Sequence, residues 1–140
     1  MTSVDQPLID AAMDLARSRF PTGEAVAAAL KTKSGRILTS VWIEARVDAA
    51  NLCAETGAIC EAHKFDDPVV ASVCVSRLSE RDPFEILPAC GICQERLAYW
   101  GLGVQIAVPS EEGNGGWQAK TLHELRPHYW AGQSPEAPQD

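Results

Sequence analysis

Basic residues are scarce in this sequence: 12 lysines and arginines stand against 19 aspartates and glutamates, a formal net charge of -7. Proteins that neutralise phosphates carry a basic patch or stripe. The balance therefore argues against a nucleic-acid partner and for a small-molecule one. Long apolar runs are missing as well. Nothing approaches the roughly 18 consecutive apolar residues of a membrane-spanning helix, so no membrane partner is expected. The first residues are polar and acidic, without the basic start and apolar run of a secretory leader, which points to a cytoplasmic location. No repeat and no linker divides the 140 residues. Residues 1–133 read as a single domain, and 134–140, with two prolines and two acids, as a flexible C-terminal tail. The five cysteines are an odd set without secretory context, which suits a reducing compartment and metal ligation better than disulfides.

What is present alternates between helical and extended patterns. Asp5 and Pro7 mark a helix start, and Leu8, Ile9, Ala12, Met13 and Ala16 recur at helical spacing up to about Phe20. Residues 25–33 read as a buried strand, although their alanines also suit a helix. Ser34-Gly35 turns the chain into a partner strand over 36–44. A loop at 46–52 leads to a helix over 53–64, then a β-branched buried strand over 69–76. Residues 78–88 read as polar loop, 90–100 as a helix, 104–109 and 117–120 as strands, and 121–125 as a short helix. Strands alternating with helices predict an α/β sheet with helices packed on it.

Two stretches carry chemistry: Cys53-Ala54-Glu55, and Ala89-Cys90-Gly91-Ile92-Cys93. A catalytic zinc typically takes three protein ligands and keeps a fourth position for water, whose pKa it lowers towards neutrality. Cys53, Cys90 and Cys93 are the candidate ligands. Glu55, two residues after the first, is placed to handle the protons of that water. A Cys-x-x-Cys pair alone also serves redox and structural zinc sites, but a structural site wants a fourth ligand and has no need of an acid at 55. Glu55 read instead as a solvated first-turn acid would simply be favoured by the helix dipole. The combination of Cys-x-Glu with a later Cys-x-x-Cys is the zinc deaminase pattern.

The stretch from Cys53 to Ala62 resembles the first zinc motif of the small cytidine deaminases, Cys-Ala-Glu-Arg-x-Ala-Ile. That from Cys90 to Leu97 is similar to their second, Pro-Cys-Gly-x-Cys-Arg-Gln-x-Leu. Residues 28–37 and 121–127 resemble the family's first hairpin and its closing Thr-x-x-Glu-Leu-Leu-Pro. Blasticidin S deaminases belong to the same family. The resemblance implies a three-layer fold with a mixed five-stranded sheet and helices on both faces. It implies a zinc-dependent hydrolase that replaces the exocyclic amine of a cytosine-type nucleoside or analogue with oxygen, releasing ammonia. It further implies a homotetramer, or at least a dimer, and contact of Ala54 with the base.

Departures from the family pattern bear on substrate. Thr56 stands where the family carries Arg, removing a positive charge that would offset three thiolates. Trp42-Ile43-Glu44 stands where Asn-x-Glu reads ribose; Glu44 still accepts hydrogen bonds, whereas an indole offers one donor and no acceptor. Glu24 replaces an aromatic residue, and an acid there suits an amine or guanidinium on the substrate; its alternative is an exposed strand-edge acid. Trp130 is a candidate to cover the base, against simple packing of an amphipathic ring, and Phe84 is a lesser one. Cys60 and Cys74 are expected to pack in the core, and His63 to cap helix carbonyls without ligating metal. Three functions stay open: a cytosine-type nucleoside deaminase, a blasticidin S-type or other amino-heterocycle deaminase, and a non-catalytic structural zinc protein.

Overall fold

The computed structural model describes residues 3–113 and 115–132; the tail expected at 134–140 lies outside them. Helix α1 (Gln6–Arg19) begins where the sequence signals it. The Asp5 carboxylate accepts from the Leu8 amide at 3.0 Å, Pro7 occupies the first turn, and Leu8, Ile9, Ala12 and Ala16 form its buried stripe. Strands β1 (Ala25–Thr32) and β2 (Ile37–Val41) form the expected hairpin, with Ala29 opposite Thr39. Helix α2 (Thr56–Phe65) and strand β3 (Val69–Arg77) come next, then a two-residue strand β4 (Glu85–Ile86) and helix α3 (Gly91–Leu97). Strands β5 (Gln105–Pro109) and β6 (Trp117–Thr121) lead into the one-turn helix α4 (Leu122–Leu125), whose N-terminus is closed by reciprocal hydrogen bonds between Thr121 and Glu124.

The sheet runs β2-β1-β3-β5-β6, with β4 paired to β3 off this path. The β3–β5 pair is parallel and the other pairings are antiparallel. Five strands form the expected mixed sheet. The sixth, β4, falls inside the segment expected to be polar loop. Its two residues carry no periodic signal, and pairing of Val75 with Ile86 makes the strand.

The alanines of β1 are strand residues because both faces of that strand are covered. Ala25, Ala27 and Ala29 pack towards α1, whereas Ala28 and Leu30 pack with Ala58, Ile59 and Ala62 of α2. Successive strand residues point to opposite faces, and small side chains let both helices approach. In β3, Ala71, Val73 and Val75 join the α1 side and Cys74 the α2 side. A shift in register between Lys31 and Thr32 breaks this alternation and turns Val69 to the α2 side. No helix among the described residues is long and apolar enough to cross a membrane.

Candidate active site

Cys53 lies ahead of α2, at the end of a closed loop. Ile43 and Leu52 exchange backbone hydrogen bonds of 3.0 and 2.9 Å, and the Asn51 side-chain oxygen accepts from the Ala45 amide at 2.7 Å. The helix starts three residues later than the sequence suggests, and Cys53 sits in irregular chain just ahead of it. Ser40 of β2 fixes the residues just beyond it: its hydroxyl donates to the Ala54 carbonyl and accepts from the Ala58 amide at 2.9 Å. A Cβ added to Gly57 would lie 2.8 Å from the Ser40 Cβ. Glycine at 57 thus lets the first turn of α2 rest directly on β2.

The second motif is anchored from the sheet. Just beyond β4, the Leu87 amide donates to the Cys74 carbonyl at 2.9 Å. Cys90 then occupies the N-cap position of α3, and the Gln94 side chain holds the preceding turn by donating to the Ala89 carbonyl at 2.8 Å. The two motifs converge. The Sγ atoms of Cys53, Cys90 and Cys93 all lie within 4.8 Å of one another, with 3.2 Å between Cys53 and Cys90. That separation is well beyond a disulfide bond of about 2.05 Å. Three soft thiol donors converging beside an open cavity fit Zn²⁺ in a three-ligand site.

Glu55 is only 4% exposed and its side chain caps no helix amide, so the solvated first-turn acid is not what the fold makes of it. Burial raises its pKa; its own backbone amide, the Cys93 and Cys74 thiols and the Arg96 charge pull the other way. Burial likewise would raise the Cys90 thiol, but the Cys93 and Ile92 amides and the Cys53 thiol overcome it and leave that pKa below the ordinary value. Burial is the main cause that raises Cys53 and Cys93. Burial and the Glu55 carboxylate push the Cys74 thiol well up, so it stays protonated. A metal ion would reverse this order for its ligands, since coordination deprotonates a thiol outright.

Cys53, Cys90 and Glu55 face a cavity of about 410 Å³, also lined by Glu24, Trp42, Ala54 and Cys74, while Cys93 is buried behind its wall. Trp42 is braced by Phe20, with ring centroids 4.6 Å apart. Of the other candidates, Glu44 is exposed on the loop and does not line this cavity. Trp130 is 79% exposed and donates its indole N–H to Glu95 at 3.2 Å. It borders a different hollow, of about 510 Å³, with His63, Tyr99 and Tyr129, and in this chain it does not reach the candidate site. Phe84 packs on the α1 side with Arg17 and Arg77 guanidinium groups over its ring. Cys60 is exposed, contrary to the core packing expected, whereas Cys74 is buried. His63 packs against Tyr99 and Trp100 at centroid distances of 4.8 and 4.5 Å.

Arg96 is the residue that the motifs alone did not single out. Its Nη1 donates to the Thr56 hydroxyl at 2.9 Å. The cation missing from position 56 is thus supplied across the α2–α3 junction, one helical turn beyond Cys93. The spacing of Cys93 and Arg96 on one helix face was the available signal.

Three thiols, a buried carboxylate and an apolar-walled cavity, set where two helices meet a mixed sheet, define the zinc deaminase class of site. No family model matches the chain. It is 31% identical over 107 residues to the blasticidin-S deaminase of Bacillus cereus, covering 73% of this chain and 74% of that one. Its fold is similar to the crystal structure of the cytidine deaminase from Bacillus anthracis, with a TM-score of 0.84, 40% identity and coverage of 90% and 89%. A mutant cytidine deaminase from Mycobacterium tuberculosis is also similar, with a TM-score of 0.71, 25% identity and coverage of 91% and 99%. The chain belongs to the cytidine deaminase family.

Proposed function

We propose that this protein is a zinc-dependent aminohydrolase that exchanges the exocyclic amine of a cytosine-type nucleoside or nucleoside analogue for oxygen, consuming water and releasing ammonia. The observation that carries the reading is the convergence of three Sγ atoms within 4.8 Å beside a carboxylate that is buried yet faces a cavity. Cys53, Cys90 and Cys93 would hold Zn²⁺, which supplies a water acidic enough to act as nucleophile near neutral pH. Glu55 accepts one proton of the water and passes it to the ring nitrogen, then accepts the second from the hydroxyl now on the ring carbon and passes it to the departing amine. A carboxylate whose pKa burial has raised suits both halves of this transfer. Ala54 lies on the cavity wall, where its backbone meets the ring. Arg96 offsets part of the negative charge of three thiolates and Glu55.

The test is ammonia release by zinc-loaded protein on cytidine, deoxycytidine, cytosine and blasticidin S, with Glu55→Ala alongside and zinc content measured in both. Turnover that is lost in Glu55→Ala while zinc is retained supports the reading. Bound zinc with no turnover on any compound favours a structural zinc protein, and failure to bind zinc overturns the assignment of the three cysteines.

A second reading, a blasticidin S-type deaminase, is favoured by Glu24 and Trp42 on the cavity wall and by the likeness to the Bacillus cereus protein. The blasticidin S arm of the same assay separates the two. We further infer one domain over 1–133, a cytoplasmic location, no nucleic-acid partner, and a homotetramer or dimer. Exposed Ile92, Tyr99 and Trp130 support the assembly, and sedimentation of the zinc-loaded protein checks it.

A further inference from the structure

Among the described residues the candidate cavity has no basic side chain on its wall, and its acids differ in depth. Glu55 is buried at the thiol cluster, whereas Glu24 is exposed at the rim. Backbone geometry fixes where Glu24 stands. Gly23 adopts φ +77, a conformation natural to glycine, and its amide donates to the Glu80 carboxylate at 2.8 Å. On the other side, Ala25 opens β1 in register with Arg77. Arg77, which lies beside Glu24 across that pairing, is directed elsewhere: its guanidinium donates to the Phe20 carbonyl and stands 5.1 Å from the Phe84 ring centroid. Glu24 itself makes no hydrogen bond or ion pair among the described residues. It also lines a second hollow of about 300 Å³, shared with Arg77, Asp82 and Glu85. The groove therefore continues past Glu24 over a surface with more carboxylates than cations.

We infer that Glu24 sets substrate charge: the cavity favours a cytosine-type ring whose outward substituent carries an ammonium or guanidinium group, and disfavours one carrying a phosphate. The inference rests on the deaminase reading and names its substrate class. A ring seated at the thiols leaves its substituent pointing towards the open side, where Glu24 and the adjoining hollow meet it. An ammonium there pairs with a carboxylate that has no internal partner to give up. A phosphate meets the same carboxylate, with Asp82 and Glu85 outnumbering Arg77 in the hollow beyond it, and no cation on the cavity wall to receive it.

The experiment compares kcat/KM of the zinc-loaded protein for 5′-amino-5′-deoxycytidine, cytidine and cytidine 5′-monophosphate, in wild type, Glu24→Gln and Glu24→Asp. The amino compound should exceed cytidine by about fivefold, the scale of one partly exposed ion pair, through KM and more strongly at low salt. The monophosphate should fall below cytidine. Glu24→Gln should bring the amino-to-cytidine ratio near one, and Glu24→Asp should keep part of it. Equal values for the amino compound and cytidine in wild type, or a preference that survives Glu24→Gln, overturn the inference while leaving the deaminase reading intact. If no compound is turned over, the deaminase reading fails separately, and calorimetric binding of 5′-amino-5′-deoxyuridine against uridine decides the role of Glu24. Tighter binding of the amine that Glu24→Gln abolishes supports it. Equal affinity, or no binding of either, overturns it.

Discussion

The two faces of the sheet share their strands and differ in what covers them. On one side α1 lays a continuous apolar stripe across Ala25, Ala27, Ala29, Val73 and Val75. On the other, α2 and α3 bring their N-terminal ends together, and the Cys74 and Cys93 thiols and the Glu55 carboxylate are buried on the side of Ala28, Ala58 and Leu97. Burying apolar surface stabilises a fold by about 25 cal/mol per Å². Burying ionisable groups costs free energy unless they are paired or bind metal. The α1 side can therefore supply stability that the site-bearing side partly gives up. The strands between them are made of small and β-branched residues, so both coverings lie close to one backbone. Stability and chemistry are separated by the thickness of a single sheet.

Removing a ligand should break the site and spare the opposite face. Cys93→Ala is expected to lower zinc stoichiometry towards zero and activity by several orders of magnitude, read by metal analysis beside ammonia release. Circular dichroism should still report folded secondary structure, because α1 and its side of the sheet do not depend on the thiols. The converse change is Leu8→Ala, at a fully buried position of α1. It should destabilise the protein by about 2–5 kcal/mol in denaturant unfolding, while the folded fraction keeps its zinc and its kcat. Loss of zinc in proportion to stability would show that the two faces are coupled.

Much of the α1 side was legible in the sequence. Asp5, Pro7 and the stripe of Leu8, Ile9, Ala12 and Ala16 specify that helix through local rules, and the structure obeys them to within a residue. The meeting of Cys53, Cys90 and Cys93 was legible because cysteine and glutamate at those spacings serve few other purposes. Other features depend on contacts between distant parts of the chain. Glu85 and Ile86 become strand only through β3. Arg96 meets Thr56 only because two helices abut, 40 positions apart. Phe84 is drawn into the α1-side core rather than the cavity. Trp130 is held at Glu95, so its nearness to the end of the closing motif did not place it over the thiols. The exposure of Cys60 was not legible because hydrophobicity alone does not tell which side of α2 faces out when half its residues are small.

Gly57→Ala tests how closely the site depends on β2. The added methyl would meet Ser40 at 2.8 Å, so α2 must lift or Ser40 must move. Overpacking of this kind costs about 1–3 kcal/mol. Since Ser40 also holds Ala54 and Ala58, kcat should fall further than the stability loss explains. Unchanged kcat with lowered stability would show that the Cys53–Glu55 segment is positioned independently of β2.

Arg96→Gln should have a smaller effect on the same side. It removes a partly solvated cation near Glu55 and the thiols, so Glu55 should titrate higher and zinc should bind more weakly. A loss of about threefold to tenfold in zinc affinity is expected, the range of one screened charge interaction. Arg96→Lys restores the charge without the planar donor fork and should recover part of it. A competitive chelator titration at two salt concentrations reads both variants, and high salt should narrow the difference.

The smallest effect is expected at the start of α1, where Asp5 both caps the helix and contacts Lys31 of β1. The Lys31 hydrogen bond is the main reason that the Asp5 pKa lies below its ordinary value of 3.8. A carboxylate depressed in the folded state contributes stability that is present above its unfolded pKa and lost as pH falls through the folded one. The contribution should therefore be complete above about pH 4 and fade below it. Asp5→Asn retains a good N-cap and removes the negative charge that Lys31 and the helix N-terminus both attract. The variant should melt slightly lower than wild type near neutral pH, by well under the equivalent of about 1 kcal/mol because the pair is partly solvated. The two melting curves should converge as pH drops below about 4, and salt at about 1 M should close the gap at neutral pH. A difference that persists unchanged into acid would assign the role of Asp5 to capping geometry, and would leave the attachment of α1 to the sheet to its apolar stripe alone.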